Sequence, residues 1–230
     1  LPYIDGTVTR TQPGHPLNAY YGFVQEGIYQ NQQEISEHLN GTNNPPQQPG
    51  DIKFKDLNGD GRINDSDRDF IGNPNPRFSY GMSMGFDYKG FDFNLLFQGV
   101  SGVERYNDLK KIIDYDTRPF NYTDRVLNSW NGEGSSNTIP RISFSDNGSS
   151  RISDIFVEDA SYVRLKNVEL GYTFNLKESI GIKNTRLYVS GQNLFTITDY
   201  SGLDPESTAL IDFGTYPQSL TVLLGINVSL

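Results

Sequence analysis

A strict two-residue alternation in the middle of the chain limits what it can form. From Phe78 to Tyr88 every second residue is large and apolar, and the residues between them are small or polar. Successive side chains of a strand point to opposite faces, so this period predicts a strand with one wholly apolar face. Lys89 and Gly90 then predict a two-residue turn, and a second strand from Phe91 continues the apolar set on the same face.

The same alternation returns elsewhere. It is clear at residues 168–174 and 219–230 and weaker at 185–196 and 18–29, which gives about six strands in all. The chain has 23 Gly and 12 Pro in 230 residues, too many interruptions for a helical bundle. No apolar run approaches the roughly 18 residues of a membrane-spanning helix. The sequence therefore predicts an all-β protein, with only short helices at about 31–39 and, after Thr123 as N-cap, 124–130.

Charge and composition exclude several functions. Lys and Arg number 19 against 28 Asp and Glu, a formal charge of −9, and no basic cluster interrupts it, so we expect no nucleic-acid partner. The absence of cysteine excludes disulfides, thiolate metal sites and cysteine nucleophiles. His15 and His38, the only histidines, have no nearby acid and nucleophile that would suggest a catalytic arrangement, and no GxSxG motif occurs. We therefore expect no enzymatic activity.

Strands with one apolar face are found in two architectures, the soluble β-sandwich and the transmembrane β-barrel. In a soluble β-sandwich the apolar face turns inward. Three features favour a transmembrane β-barrel instead: polar faces rich in Gly, Ser, Thr and Asn, strands of about 12 residues that reach roughly 30 Å when tilted, and alternately short and long connections. Six strands cannot close a barrel, which needs about eight, and an open edge in lipid is costly. We therefore expect the chain to form part of a larger barrel.

Residues 56–67, DLNGDGRINDSD, match the spacing of an EF-hand-type calcium loop. Gly61 stands at the sixth position, where the chain turns sharply, and Ile63 is expected to anchor the loop. The last position is Asp67 rather than Glu, as in the loops of dockerin modules. Flexible oxygen ligands favour Ca²⁺ over Mg²⁺, and without flanking helices we expect a structural clamp. The predicted ligands are Asp56, Asn58, Asp60, the Arg62 carbonyl, Asn64 and Asp67. The other interpretation is an Asx-rich turn whose side chains cap backbone amides.

A long connection carries four aromatic residues that are candidates for substrate binding. Their rings could stack on a sugar or a peptide, or pack the connection against itself. They are Tyr115, Phe120, Tyr122 and Trp130.

Four blocks of the sequence resemble, in order, the SusC/RagA group of TonB-dependent outer-membrane transporters of Bacteroidetes. They are residues 50–102, 160–175, 187–206 and 216–230. The resemblance covers nearly all of the chain from about residue 17. It implies that residues 1–230 are the C-terminal part of a 22-stranded antiparallel transmembrane barrel, without its plug domain. Leu230 departs from the aromatic last residue that is usual in the family.

The resemblance also implies a function. Members of the family import oligosaccharides or peptides with power from the TonB complex, which contacts an N-terminal part that is absent here, and with a SusD-like surface lipoprotein as a lid. It places the chain in the outer membrane, with the turn at 89–90 and the link at 176–184 periplasmic. The long loops, including residues 56–67, are then extracellular. The competing hypothesis is a soluble, calcium-stabilised β-sandwich module that binds carbohydrate.

Overall fold

A computed structural model describes residues 3–40, 45–115, 121–175 and 183–229. This part of the chain contains helix α1 (Gln32–His38), helix α2 (Asp108–Lys110), 3₁₀ turns at Asp65–Asp67, Asp124–Asn128 and Asp154–Phe156, and a π-helical turn at Lys111–Tyr115. Its strands are β1 (Ile4–Asp5), β2 (Thr9–Thr11), β3 (Ala19–Gly22), β4 (Gln25–Ile28), β5 (Ile52–Phe54), β6 (Asp69–Gly72), β7 (Phe78–Tyr88), β8 (Phe91–Ser101), β9 (Glu104–Asn107), β10 (Val157–Asp159), β11 (Tyr162–Asn175), β12 (Asn184–Thr198), β13 (Ile211–Asp212) and β14 (Thr221–Ser229).

The chain divides into two compact units. The loop unit, as we call it, comprises Leu1–Asn75, Glu104–Asp159 and Ser207–Thr215. The sheet unit comprises Pro76–Val103, Ala160–Glu206 and Tyr216–Leu230. Each unit is therefore built from three separate stretches of the chain.

The sheet unit is one antiparallel sheet with the strand order β14-β12-β11-β8-β7. The predicted hairpin is confirmed, since Tyr88 pairs with Phe91 and the turn residues Lys89 and Gly90 have φ of 48° and 85°. Positive φ at both turn residues matches the right-handed twist of the strands. A glycine is needed at position 90, because a Cβ there would lie 3.0 Å from the carbonyl oxygen of Thr173.

The two faces of this sheet differ in chemistry. The pairing register puts most of the large apolar residues of all five strands on one face, which is strongly exposed: Phe78 is 71% and Leu224 is 85% accessible. On the opposite face the Arg186 Nε donates to Asp92 Oδ2 at 2.8 Å, and its Nη2 donates to Glu169 Oε1 at 2.6 Å. The apolar side chains thus point outward, which is the reverse of a soluble sandwich.

The candidate strand at 18–29 was predicted wrongly, and the sheet has five strands rather than six. The segment splits into β3 and β4, which belong to two different small sheets. Between them Phe23 forms a parallel bridge with Ser153, and within β4 Gly27 takes a φ of 157°. Its side chains are buried in neighbouring pairs rather than alternately, because other segments cover the chain from both sides.

The loop unit holds three small sheets, ordered β1-β2-β3-β6, β10-β9-β13 and β4-β5. Its core is rich in aromatic side chains, including the fully buried Tyr20, Tyr106 and Phe156. Distant segments are joined by hydrogen bonds: Tyr20 Oη donates to the Leu210 carbonyl at 2.7 Å, and Arg105 Nη1 to the Ala209 carbonyl at 2.6 Å.

The predicted short helices are confirmed. Helix α1 begins after Asn31, whose side chain accepts a hydrogen bond from the amide of Glu34 at 3.0 Å. Thr123 caps the 3₁₀ turn at Asp124–Asn128 by accepting from the amide of Arg125 at 3.4 Å. Among the described residues no helix has the length and apolar character needed to span a bilayer.

Candidate calcium site

The predicted calcium loop turns sharply at its two glycines. Gly59 and Gly61 have φ of 73° and 72°, in the left-handed region that glycine adopts without strain. A Cβ on Gly61 would lie 2.3 Å from the Nδ2 atom of Asn40, so only glycine fits at the sixth position. The turn predicted at Gly61 is therefore confirmed.

Asp56 organises the first half of the loop. Its Oδ1 accepts from the amide of Gly59 and its Oδ2 from the amide of Gly61, both at 2.7 Å. Desolvation acts to raise the pKa of Asp56, but these backbone N–H groups outweigh it and hold the pKa below its ordinary value. Asp56 is therefore ionised at neutral pH and carries the charge that a cation ligand needs.

Asp67 closes the loop from its other end. Its carboxyl is completely buried and accepts from the amide of Leu57 through Oδ1 at 3.0 Å and from that of Asn64 through Oδ2 at 2.9 Å. Asn64 in turn accepts from the amide of Ser66 at 2.9 Å. The side chain at the last position of the loop thus holds the backbone at its second and ninth positions.

The loop is attached to the rest of its unit by polar and apolar contacts. The amide of Asn40, just after α1, donates to the Gly61 carbonyl at 2.7 Å. Ile63 is 9% exposed and belongs to the aromatic core, which confirms its predicted role as the anchor. The loop therefore sits on the fold at its middle as well as at its ends.

The oxygen atoms of the loop keep lone pairs that a calcium ion would use. Each carboxylate offers about four lone-pair sites, so the amide contacts leave acceptor capacity unused. In the described part of the chain no Lys or Arg ion pair neutralises Asp56, Asp60 or Asp67. Over the same residues no three His, Asp or Glu side chains lie close enough together to form a metal cluster. The asparagine side chains and the Arg62 carbonyl would therefore have to complete the ligand set.

Three of the four candidate aromatic residues lie in the described part of the chain. Tyr115 is 8% exposed and packs edge-on against Phe156 with ring centroids 5.1 Å apart, and burial raises its pKa to about 12. The Trp130 indole donates to Gln30 Oε1 at 3.0 Å. Tyr122 shares with Tyr115 a cavity of about 10 Å³, too small for a sugar. Phe120 lies outside the described residues, and a substrate role for these four stays a prediction.

A polar cluster around Asp51 was not predicted from the sequence. Asp51 is fully buried and accepts from Arg141 Nε at 2.8 Å, from Asn147 Nδ2 at 3.0 Å and from the amide of Gln48 at 2.8 Å. It joins segments about 90 residues apart in the chain. A single acid in a loop carries no spacing signal, so only the structure reveals it.

Comparison with known proteins finds relatives that are TonB-dependent receptors. No family model matches the chain. The chain is 36% identical to the TonB-dependent receptor P3 of Formosa agariphila, over 94% of this chain and 22% of that protein. It is 30% identical to the TonB-dependent receptor SusC of Bacteroides thetaiotaomicron, over 90% of this chain and 20% of SusC.

The chain is also similar to a chain in a solved structure of the RagAB peptide transporter, with a TM-score of 0.77 and 23% sequence identity. The match covers 99% of this chain and 25% of the RagAB chain. At this identity the similarity shows the fold alone. The chain spans about a fifth to a quarter of the length of the proteins that it matches.

Proposed function

Because this chain belongs to the SusC/RagA family of TonB-dependent receptors, we propose that it forms part of the wall and mouth of an outer-membrane importer of oligosaccharides or peptides. The observation that carries the proposal is the exposed apolar face of the sheet unit. Side chains such as Phe86, 59% exposed, and Val222, 61% exposed, are stable in that position when acyl chains cover them.

The opposite face suits the water-filled interior of a barrel. It carries Ser79, Ser83, Asn94 and Thr196, together with the Arg186 ion-pair cluster. These groups satisfy one another or water and would be costly in lipid. The soluble β-sandwich module is not favoured, because it requires the apolar face to be covered by protein.

The strands at the two edges of the sheet, β7 and β14, would pair with further strands of the same receptor. Unpaired backbone groups cost several kcal/mol each in a bilayer, so five strands would not span it alone. This supports our proposal that the chain is a C-terminal part of a 22-stranded barrel whose plug lies elsewhere in the receptor.

The antiparallel order also supports the proposed orientation. The tight turn at 89–90 lies at the same end of the sheet as the pair Asn175 and Asn184, where β11 ends and β12 begins, and the long connections leave from the other end. Short periplasmic turns and long outer loops are typical of outer-membrane barrels. We assign the long connections to the extracellular side, where they would contact a SusD-like lipoprotein. Transport would be powered through the TonB complex, and this segment would carry no catalytic group.

Calcium is the cofactor we assign to residues 56–67. Millimolar Ca²⁺ outside the cell suits a weak, loop-stabilising site. Its role would be to hold the segment at 50–75 in one conformation, not to signal.

Site-directed labelling of the receptor that contains this chain tests the proposal. This chain has no cysteine, so Phe86→Cys on the apolar face and Ser83→Cys on the polar face add unique thiols to it. In outer membranes we expect a lipid-soluble maleimide to label position 86 and a water-soluble maleimide to label position 83. The receptor should also resist carbonate extraction. Release by carbonate, or equal labelling of both positions by the water-soluble reagent, would contradict it.

A further inference from the structure

A cavity of about 960 Å³ opens in the loop unit beside residues 56–67. Two segments, 62–68 and 146–152, form most of its wall, with Phe23 and Pro45 completing it. The volume lies in the range of sites that bind small molecules. The calcium loop therefore forms one side of a space large enough for a ligand.

The wall of this groove is unusually basic for the chain. Arg62, Arg68 and Arg151 line it, against only Asp65 and Asp146, although acids outnumber bases by 28 to 19 overall. Guanidinium groups match planar carboxylates through two parallel hydrogen bonds. The local charge therefore points to an anionic ligand.

Two of the arginines are drawn to the same ring. The guanidinium carbons of Arg68 and Arg151 lie 5.9 and 5.5 Å from the centroid of the Phe23 ring. Both positive charges therefore lie near one ring, and an anion bound beside that ring would interact with the two of them. Burial lowers the pKa of Arg151, against the influence of Asp146 and Asp65.

Arg68 has hydrogen-bonding capacity to spare. Its Nε is buried without a partner, its Nη1 is 3.8 Å from Asp65 Oδ1, and its Nη2 donates to the Tyr21 carbonyl at only 3.4 Å. The contacts of Nη1 and Nη2 are long, and each of these nitrogens carries two N–H groups, so both keep donors for a ligand oxygen. The fork of Arg68 is therefore available to a ligand in the groove.

We propose that this groove binds a carboxylate of an acidic oligosaccharide through the guanidinium groups of Arg68 and Arg151. Asn64, Asp65 and Ser150 would exchange hydrogen bonds with sugar hydroxyls, which both donate and accept. Binding of a peptide as an added strand does not fit, because none of β1–β14 lines the groove. The proposal rests on the proposed function, since it makes the groove an outer contact for an imported glycan.

Calorimetric titration of the detergent-purified receptor tests this proposal, with digalacturonate as the probe and digalactose as its neutral counterpart. We expect Arg68→Gln and Arg151→Gln each to weaken digalacturonate binding about tenfold or more, because each removes a charge-assisted contact. Arg68→Lys keeps the charge but loses the two parallel N–H groups of the guanidinium. Its affinity for digalacturonate should lie between those of the unmodified receptor and of Arg68→Gln. Arg10→Gln, in the same unit but outside the groove, is the matched control and should bind normally.

The outcomes separate the possibilities. Unchanged affinity in both glutamine variants would overturn the proposal, as would equal binding of digalactose. Tighter binding of a tetra-aspartate peptide or of inorganic sulfate than of digalacturonate would also overturn it. Because titration requires neither TonB nor transport, its failure leaves the importer function standing, whereas failure of the labelling experiment above would remove the importer and leave any measured affinity intact.

Discussion

The two units place their apolar side chains in opposite ways. In the sheet unit Leu224 is 85% exposed, whereas in the loop unit Tyr20 and Phe156 are fully buried. In the proposed barrel, exposed apolar side chains of the sheet unit would contact acyl chains. In the loop unit, which would lie in water, the same residue types are buried. Hydrophobic burial stabilises the loop unit from within, while the sheet unit of the proposed barrel would depend on lipid to cover its apolar face.

The largest effect should come from the core of the loop unit. Phe156→Ala removes a fully buried ring that contacts Tyr106 and Tyr115, and we expect a loss of about 3–5 kcal/mol in the stability of that unit. Phe144→Ala, at an 80% exposed position in the same unit, is the control and should change little. Limited proteolysis of the receptor in membranes measures both. Equal protease resistance of the two variants would show that this core is not what holds the unit.

A charge on the lipid-facing side should be the next largest effect. Leu224→Arg should cost about 2–4 kcal/mol if the side chain lies near the bilayer midplane, whereas Leu223→Arg on the other face of β14 should cost less than 1. In a soluble protein a residue as exposed as Leu224 would tolerate arginine. The amount of heat-modifiable, folded receptor in outer membranes measures the difference. Normal assembly of the Leu224 variant would remove the contrast between the units.

The Asp51 cluster tests whether polar contacts also hold the loop unit together. Asp51→Ala leaves Arg141 and Asn147 without their shared acceptor, and we expect a loss of about 2–3 kcal/mol. Cleavage between residues 141 and 151 should accelerate. Glu37→Ala, which removes an exposed acid of α1, serves as the control, and an equal response of both variants would contradict the assignment.

Removal of calcium should have a smaller, local effect. We expect a chelator, Asp60→Ala or Asp67→Ala to increase protease cleavage within residues 50–75 and to leave the sheet unit protected. Asp65→Ala, which removes an acid of the same segment that is not among the predicted ligands, is the matched control. Protection of the segment that does not change with chelator would leave the hydrogen-bonded turn as the whole explanation.

The smallest effect concerns pH. The pKa of Asp56 is lower in the folded loop than its ordinary value of 3.8, so its contribution to stability is present above that pH and is lost as the pH falls toward the folded value. Asp56→Asn should remove this dependence. Cleavage of the 50–75 segment by an acid-active protease, compared at pH 5 and pH 3, measures it. A loop equally resistant at both pH values in the unmodified chain would contradict the assignment.

The sequence predicted those parts of the fold that depend on interactions between residues close together in the chain. The hairpin at Lys89 and Gly90 follows from alternation and turn chemistry, because strand register is fixed once one face is apolar. The turns of the calcium loop follow in the same way, since Asp56 bonds to amides three and five residues away. Such elements can be predicted because residues close together in the sequence determine their conformation.

Contacts between distant segments could not be predicted. The segment at 18–29 alternates enough to suggest a strand, but Tyr20 meets Leu210, and the amide of Phe23 donates to the carbonyl of Ile152. The groove beside the calcium loop is likewise invisible in sequence, because Arg68 and Arg151 are more than 80 residues apart and each is an ordinary arginine by itself. Tertiary packing overrides the local period in such places.

The division of the loop unit into three stretches has a consequence for the order of events during assembly. Its last stretch, Ser207–Thr215, supplies the carbonyls of Leu210 and Ala209 that Tyr20 and Arg105 require. Contacts that join residues 190 positions apart form slowly. The loop unit would therefore complete its core only after Ser207–Thr215 has joined it, which requires the chain to have been made beyond β12.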